Sequence, residues 1–81
     1  MSKIDKLIAR LISKPKDFTY NELQTLLSAF GYNEVQGAGS RVCFEKKEHK
    51  IKLHKPHPSN IMKFYQLDIV TNELKNKGLI K

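Results

Sequence analysis

Apolar residues recur along this chain at two different periods, and the change of period divides it. Over residues 2–13, Ile4, Leu7, Ile8, Leu11 and Ile12 fall at helical spacing while Lys3, Lys6, Arg10 and Lys14 form a second stripe. The spacing predicts an amphipathic helix with a basic outer face, ended by Pro15 and the polar stretch 14–17. Thr19 followed three residues later by Glu22 has the form of a capping box, so a second helix is expected to start there. Leu23, Leu26, Leu27 and Phe30 would give it a core face. Gly31 is placed to end it in the left-handed conformation.

Beyond Gly31 the period falls to two, and residues 32–36, 41–46 and 50–54 read as three short strands. Pairing Lys46 with His49 across a Lys47-Glu48 turn sets Phe44 opposite Ile51 and Val42 opposite Leu53 on one face. The same register sets Glu45 against Lys50, Cys43 against Lys52 and Arg41 against His54 on the other. Both faces are chemically consistent. Joining the first two strands through Gly37-Ala38-Gly39-Ser40 aligns Val35 with Val42 and predicts a three-stranded meander with one apolar and one basic face. After Pro56-His57-Pro58, where each proline restrains the residue before it, a last helix is expected from residue 61 or 66 to 77. Leu67, Val70 and Leu74 would be its buried stripe, Gly78 its stop, and Leu79 and Ile80 a tail packed back on the core. The fold class is α+β, in the order α-α-β-β-β-α.

Size and charge narrow this picture. With 81 residues there is room for a single core. Fifteen Lys and Arg against eight Asp and Glu give a net charge of +7, which suits a polyanionic partner. No apolar run approaches the ~20 residues of a membrane span, and the basic N-terminus lacks a signal-peptide core, so a cytoplasmic protein with no membrane partner is expected. Cys43 is the only cysteine, which leaves no internal disulfide and no multi-cysteine zinc site. His49, His54 and His57 are not spaced to share one helical face, so neither a metal nor another cofactor is expected.

The positive charge is uneven. Residues 41–55 hold six of the fifteen cations, while residues 19–40 hold none and carry Glu22 and Glu34. This bears on a rival topology, because helix-helix-hairpin is also the order of a winged helix whose second helix reads the DNA major groove. The second helix here offers no Arg or Lys to a phosphate or a guanine. The cations gather instead where the register places Arg41 opposite His54, with Lys52 on the same face and Lys55 and His57 just beyond. Gly39 and Ser40, directly before Arg41, can bring backbone close to a ligand and offer an N–H and a hydroxyl to a phosphate oxygen. Cleaving RNA through its own 2′-hydroxyl needs a base, an acid for the leaving oxygen and fixed positive charge for the oxyanion. Histidine suits both proton transfers near neutral pH, and Arg or Lys suits the third task. His49, at the predicted turn, reads as a surface or half-buried structural residue.

Residues 21–80 resemble the HicA family of toxins from toxin–antitoxin pairs. The resemblance lies in a helix ending Phe30-Gly31-Tyr32, Gly39-Ser40 leading into a strand, a Pro-x-His-like element at Pro56, and a closing helix that ends near Gly78-Leu79-Ile80. It implies a double-stranded-RNA-binding-like α-β-β-β-α core in one domain over residues 1–81, with residues 1–18 an added N-terminal helix and 19–81 the core. It also implies an endoribonuclease that cuts messenger RNA (an mRNA interferase) and a HicB-like antitoxin partner. The family pattern carries its catalytic histidine directly after Gly-Ser or Gly-Thr, where this chain has Arg41. Arginine stays protonated and cannot serve as that base. Two readings follow: His54 and His57 supply the proton transfers while Gly39, Ser40, Arg41, Lys52 and Lys55 bind phosphate, or the domain binds RNA or its antitoxin without cutting.

Overall fold

The computed structural model describes residues 3–56 and 59–80. Its elements are α1 (Lys3–Ser13), α2 (Tyr20–Ala29), β1 (Asn33–Gln36), β2 (Arg41–Lys46), β3 (His49–His54) and α3 (Phe64–Asn76). The three strands form an antiparallel sheet in the order β1-β2-β3, giving the expected α-β-β-β-α core with one helix in front. Residue 2, at the start of the first expected helix, and His57 and Pro58 lie outside the described residues.

Local chemistry sets the boundaries. The capping box at α2 is present in full: the Thr19 hydroxyl accepts the Glu22 N–H, and the Glu22 carboxylate accepts the Thr19 N–H. Gly31, at φ +91°, ends α2 in a Schellman motif, its N–H donating to the Ser28 carbonyl and that of Tyr32 to Leu27. Gly78, at φ +72°, ends α3 the same way, with N–H bonds from Gly78 to Lys75 and from Leu79 to Leu74. Tyr32 is therefore part of a helix cap, and β1 begins one residue later than its apolar pattern suggests.

Helices and sheet meet in one core. Leu7 and Leu11 of α1, Phe18 just before α2, Leu23, Leu26 and Leu27 within α2, and Leu67, Val70 and Leu74 of α3 share one cluster with Val42, Phe44, Ile51 and Leu53 of the sheet. The β2–β3 register is the expected one at all six pairs, from Arg41↔His54 to Lys46↔His49. The β1–β2 register is shifted by one residue: Val35 faces Cys43, and Gln36 faces Val42. The connecting loop explains the shift. Arg41 N–H donates to the Ala38 carbonyl, closing a turn with Gly39 at φ +64°, and Gly37 N–H donates to the Arg41 carbonyl. Gly37 thus sits opposite Arg41, and the loop proper is three residues long. A one-residue slip exchanges the faces of a strand, so Val35 turns outward at 44% exposed.

Glu34 takes the inward place instead and is fully partnered there. Its carboxylate accepts hydrogen bonds from the Tyr20 hydroxyl and from the amides of Gln24 and Gln36, both 2.7 Å. Burial alone would push Glu34 up, but these bonds outweigh it and hold the carboxyl below its usual range.

The basic stripe of α1 is present, and part of it is ion-paired. Arg10 Nε donates to Glu22 at 2.8 Å and its Nη2 to Asp17 at 3.3 Å, while Lys14 pairs with Asp68 of α3. Two of its four cations therefore tie helices together, and the concentrated positive charge lies elsewhere.

Candidate nucleic-acid interface

With the helices on one side of the sheet, the outward positions of β2 and β3 are Arg41, Cys43 and Glu45 beside His54, Lys52 and Lys50. Lys50 pairs with Glu45 at 3.5 Å, which neutralises the turn end of this face. Arg41 and Lys52 have no carboxylate partner among the described residues. The free positive charge is thus concentrated at the far end, where β1, β2 and β3 form the walls of an open groove of about 450 Å³ lined by Val35, Gly37, Arg41, Cys43, Lys52 and His54.

Backbone bonds fix the rim of this groove. Lys55 N–H donates to the Ser40 carbonyl at 2.7 Å, so the Ala38–Ser40 turn is fastened to the chain leaving β3. His54 N–H donates to Gln66 Oε1 at 2.7 Å, and Gln66 is buried at the start of α3. Both bonds use main chain, which leaves the Arg41, Lys52 and His54 side chains exposed at the surface. Gly39 has open space where a Cβ would stand, whereas a Cβ on Gly37 would come within 3.2 Å of Arg41 Cβ. Gly37 serves the close pairing with Arg41, and Gly39 serves the turn.

Gly39, Ser40, Arg41, Lys52, His54 and Lys55 are therefore gathered at one end of the sheet. Such a surface can hold a phosphodiester against fixed cations with an imidazole at hand. No side-chain hydrogen bond orients the His54 ring among the described residues. Nor do any three of His, Cys, Asp or Glu there gather as metal ligands.

Among the described residues the oriented imidazole is that of His49. Its Nε2 lies 2.6 Å from Glu73 Oε2 and its Nδ1 lies 2.5 Å from the Tyr32 hydroxyl. A carboxylate only accepts, so Nε2 carries a proton; in the neutral ring Nδ1 accepts from Tyr32. Burial, and then the Glu73 carboxylate, raise the Tyr32 phenol above its ordinary value. The sequence held a signal for this role, because His49 shares the inward parity of Ile51 and Leu53.

A cleft of about 390 Å³ adjoins the chain of bonds, lined by Tyr32, Lys46, Lys47, His49, Lys77 and Leu79 among others. Lys46 Nζ lies 5.8 Å from the Tyr32 ring centroid, and Lys77 is the C-cap of α3, where a cation suits the partial negative charge of a helix end. Its lysines thus complement the fold, and the Tyr32–His49–Glu73 chain acts as a latch joining the end of α2, the β2–β3 turn and α3. His49→Ala would leave a phenol and a carboxylate unpaired, and chemical denaturation should show a loss of about 1–3 kcal/mol.

Comparison with protein-family models, curated proteins and solved structures finds no match to this chain.

Proposed function

We propose that this domain is a HicA-like, metal-independent endoribonuclease of the cytoplasm whose substrate lies across the outer end of the sheet. The reading is carried by one observation: β2–β3 pairing sets Arg41 directly opposite His54 on the outward face. In the proposed reaction Arg41, Ser40 and Lys52 hold the scissile phosphate, and Lys55 raises the local positive potential. His54 takes the proton of the 2′-hydroxyl as that oxygen attacks phosphorus, or returns a proton to the departing 5′-oxygen. The products are a 2′,3′-cyclic phosphate and a free 5′-hydroxyl. His57, for which an assisting role is proposed, lies outside the described residues. A HicB-like antitoxin would act by covering the groove.

The unoriented His54 ring favours a second reading, in which the same cations bind RNA and no bond is broken. Incubation with single-stranded RNA in the presence of chelator separates the two. Fragments ending in cyclic phosphate are expected; RNA retained intact would establish binding alone, and fragments that vanish with chelator would require a metal. Arg41→Ala should weaken RNA binding under both readings. It should also flatten the dependence of log K on log salt by about 0.7 for the one single-strand phosphate contact removed, which a salt titration would read.

A further inference from the structure

Val35 stands apart from the other exposed large apolar side chains among the described residues, which belong to α1, α3 and the segment leading into α3. It is the one on the sheet, and the strand register fixes its neighbours. Val35 pairs with Cys43 and Cys43 with Lys52, so these three cross the outward face side by side. The next row, toward the Ala38–Ser40 turn, is Gly37, Arg41 and His54. All six residues line the groove.

The two rows differ in chemistry. Arg41 and His54 give one of them a fixed cation and an imidazole, while Gly37 adds no side chain and leaves that row open on β1. In the other, Val35 and Cys43 form an uncharged floor bounded by Lys52, with the Cys43 thiol 4.0 Å from Glu45 Oε1 on the same face. Alternate residues of a strand are about 7 Å apart, a distance that one nucleotide spans between its phosphate and its base. Two side chains offer far less apolar area than the ~800 Å² per partner of a stable protein interface. They match the face of a single base, and the cations on either side select a polyanion. A base lying on this floor must be unpaired and unstacked, because stacking in a duplex covers both of its faces. We propose that Val35 and Cys43 are a platform for the unpaired base of the nucleotide whose phosphate Arg41 holds, making single-stranded RNA the substrate class. The proposal rests on the RNA reading above.

Fluorescence anisotropy with a short labelled RNA, single-stranded and as a duplex, tests it on the full chain. Val35 lies outside the core cluster, so variants at this position should fold like the parent. Val35→Ala removes two methyl groups from the floor and should weaken single-strand binding by about 2- to 10-fold. Its slope of log K against log salt should stay parental because no phosphate contact is lost, whereas Arg41→Ala flattens the slope. Val35→Trp should act in the opposite direction, tightening single-strand binding by about 5-fold as the base stacks on the indole. The chain has no tryptophan of its own, so quenching of that indole's emission by RNA reports the base directly. Unchanged affinity in both variants, a salt slope flattened by Val35→Ala, or duplex bound as tightly as single strand would each overturn the proposal. So would altered self-association of Val35→Ala with RNA binding intact, which would mark a protein-docking face. If Arg41→Ala weakens binding and neither Val35 variant changes it, the platform alone fails; if the parent retains no RNA, the function fails with it.

Discussion

His54→Ala should slow RNA cleavage by about 10²- to 10⁴-fold, the range that one positioned acid–base group contributes, while leaving the fold and RNA retention almost untouched. The separation is possible because the strand is held by main chain at this point: His54 N–H reaches Gln66 Oε1, and alanine keeps that N–H. The imidazole itself is exposed and supports no packing. His54→Gln, which keeps polarity and reach without useful basicity, should be as slow as alanine. Equal fragment yields from parent and His54→Ala in a timed gel assay would remove His54 from the mechanism. The matching control is His49→Ala, which loses stability through Tyr32 and Glu73 and should cut at the parental rate under conditions where it remains folded.

The contrast between these histidines shows how far the site was legible. His54 was readable because β2 and β3 are both long enough to bury a full set of alternate positions, so Val42, Phe44, Ile51 and Leu53 permit one register and bring Arg41 to His54. The latch role of His49 is not legible in the sequence because its partners come from distant segments. Tyr32 belongs to the cap of α2 and Glu73 to α3, and only the packed helices bring them to one ring.

A similar limit applies to β1. Four residues with a single strong apolar position, Val35, do not specify a face, and the turn geometry at Gly39 chose the opposite one. Once Val35 faced out, Glu34 had to face in, and it could do so because Tyr20, Gln24 and Gln36 donate to it. The stripe of α1 has the same limit in one respect: lysine and arginine spacing fixes where cations stand on a helix, but not which carboxylates the rest of the chain brings to them.

Phe18→Ala should destabilise the domain by about 3–5 kcal/mol, the usual cost of emptying a buried phenylalanine site. At roughly 0.05–0.15 kcal/mol per residue a chain of this length has only a few to about a dozen kcal/mol in hand, so the variant approaches the unfolding threshold. Phe18 is fully buried, its ring lies 5.7 Å from the Arg10 guanidinium, and its carbonyl accepts the Met62 N–H at 2.7 Å. The ring thus fills the junction between α1, the start of α2 and the segment leading into α3. A thermal melt should fall by about 4–8 °C for each kcal/mol lost, whereas Ile12→Ala, at a position already 44% exposed, should shift it little. The comparison also decides the standing of the N-terminal helix. Leu7, Leu11 and Phe18 share one apolar cluster with Leu23, Leu67 and Leu74, so a chain lacking residues 1–18 should lose cooperative unfolding altogether. The groove at Arg41 and His54 lies on the opposite side of the sheet, so weakened cleavage by Phe18→Ala should track its unfolded fraction and recover on cooling.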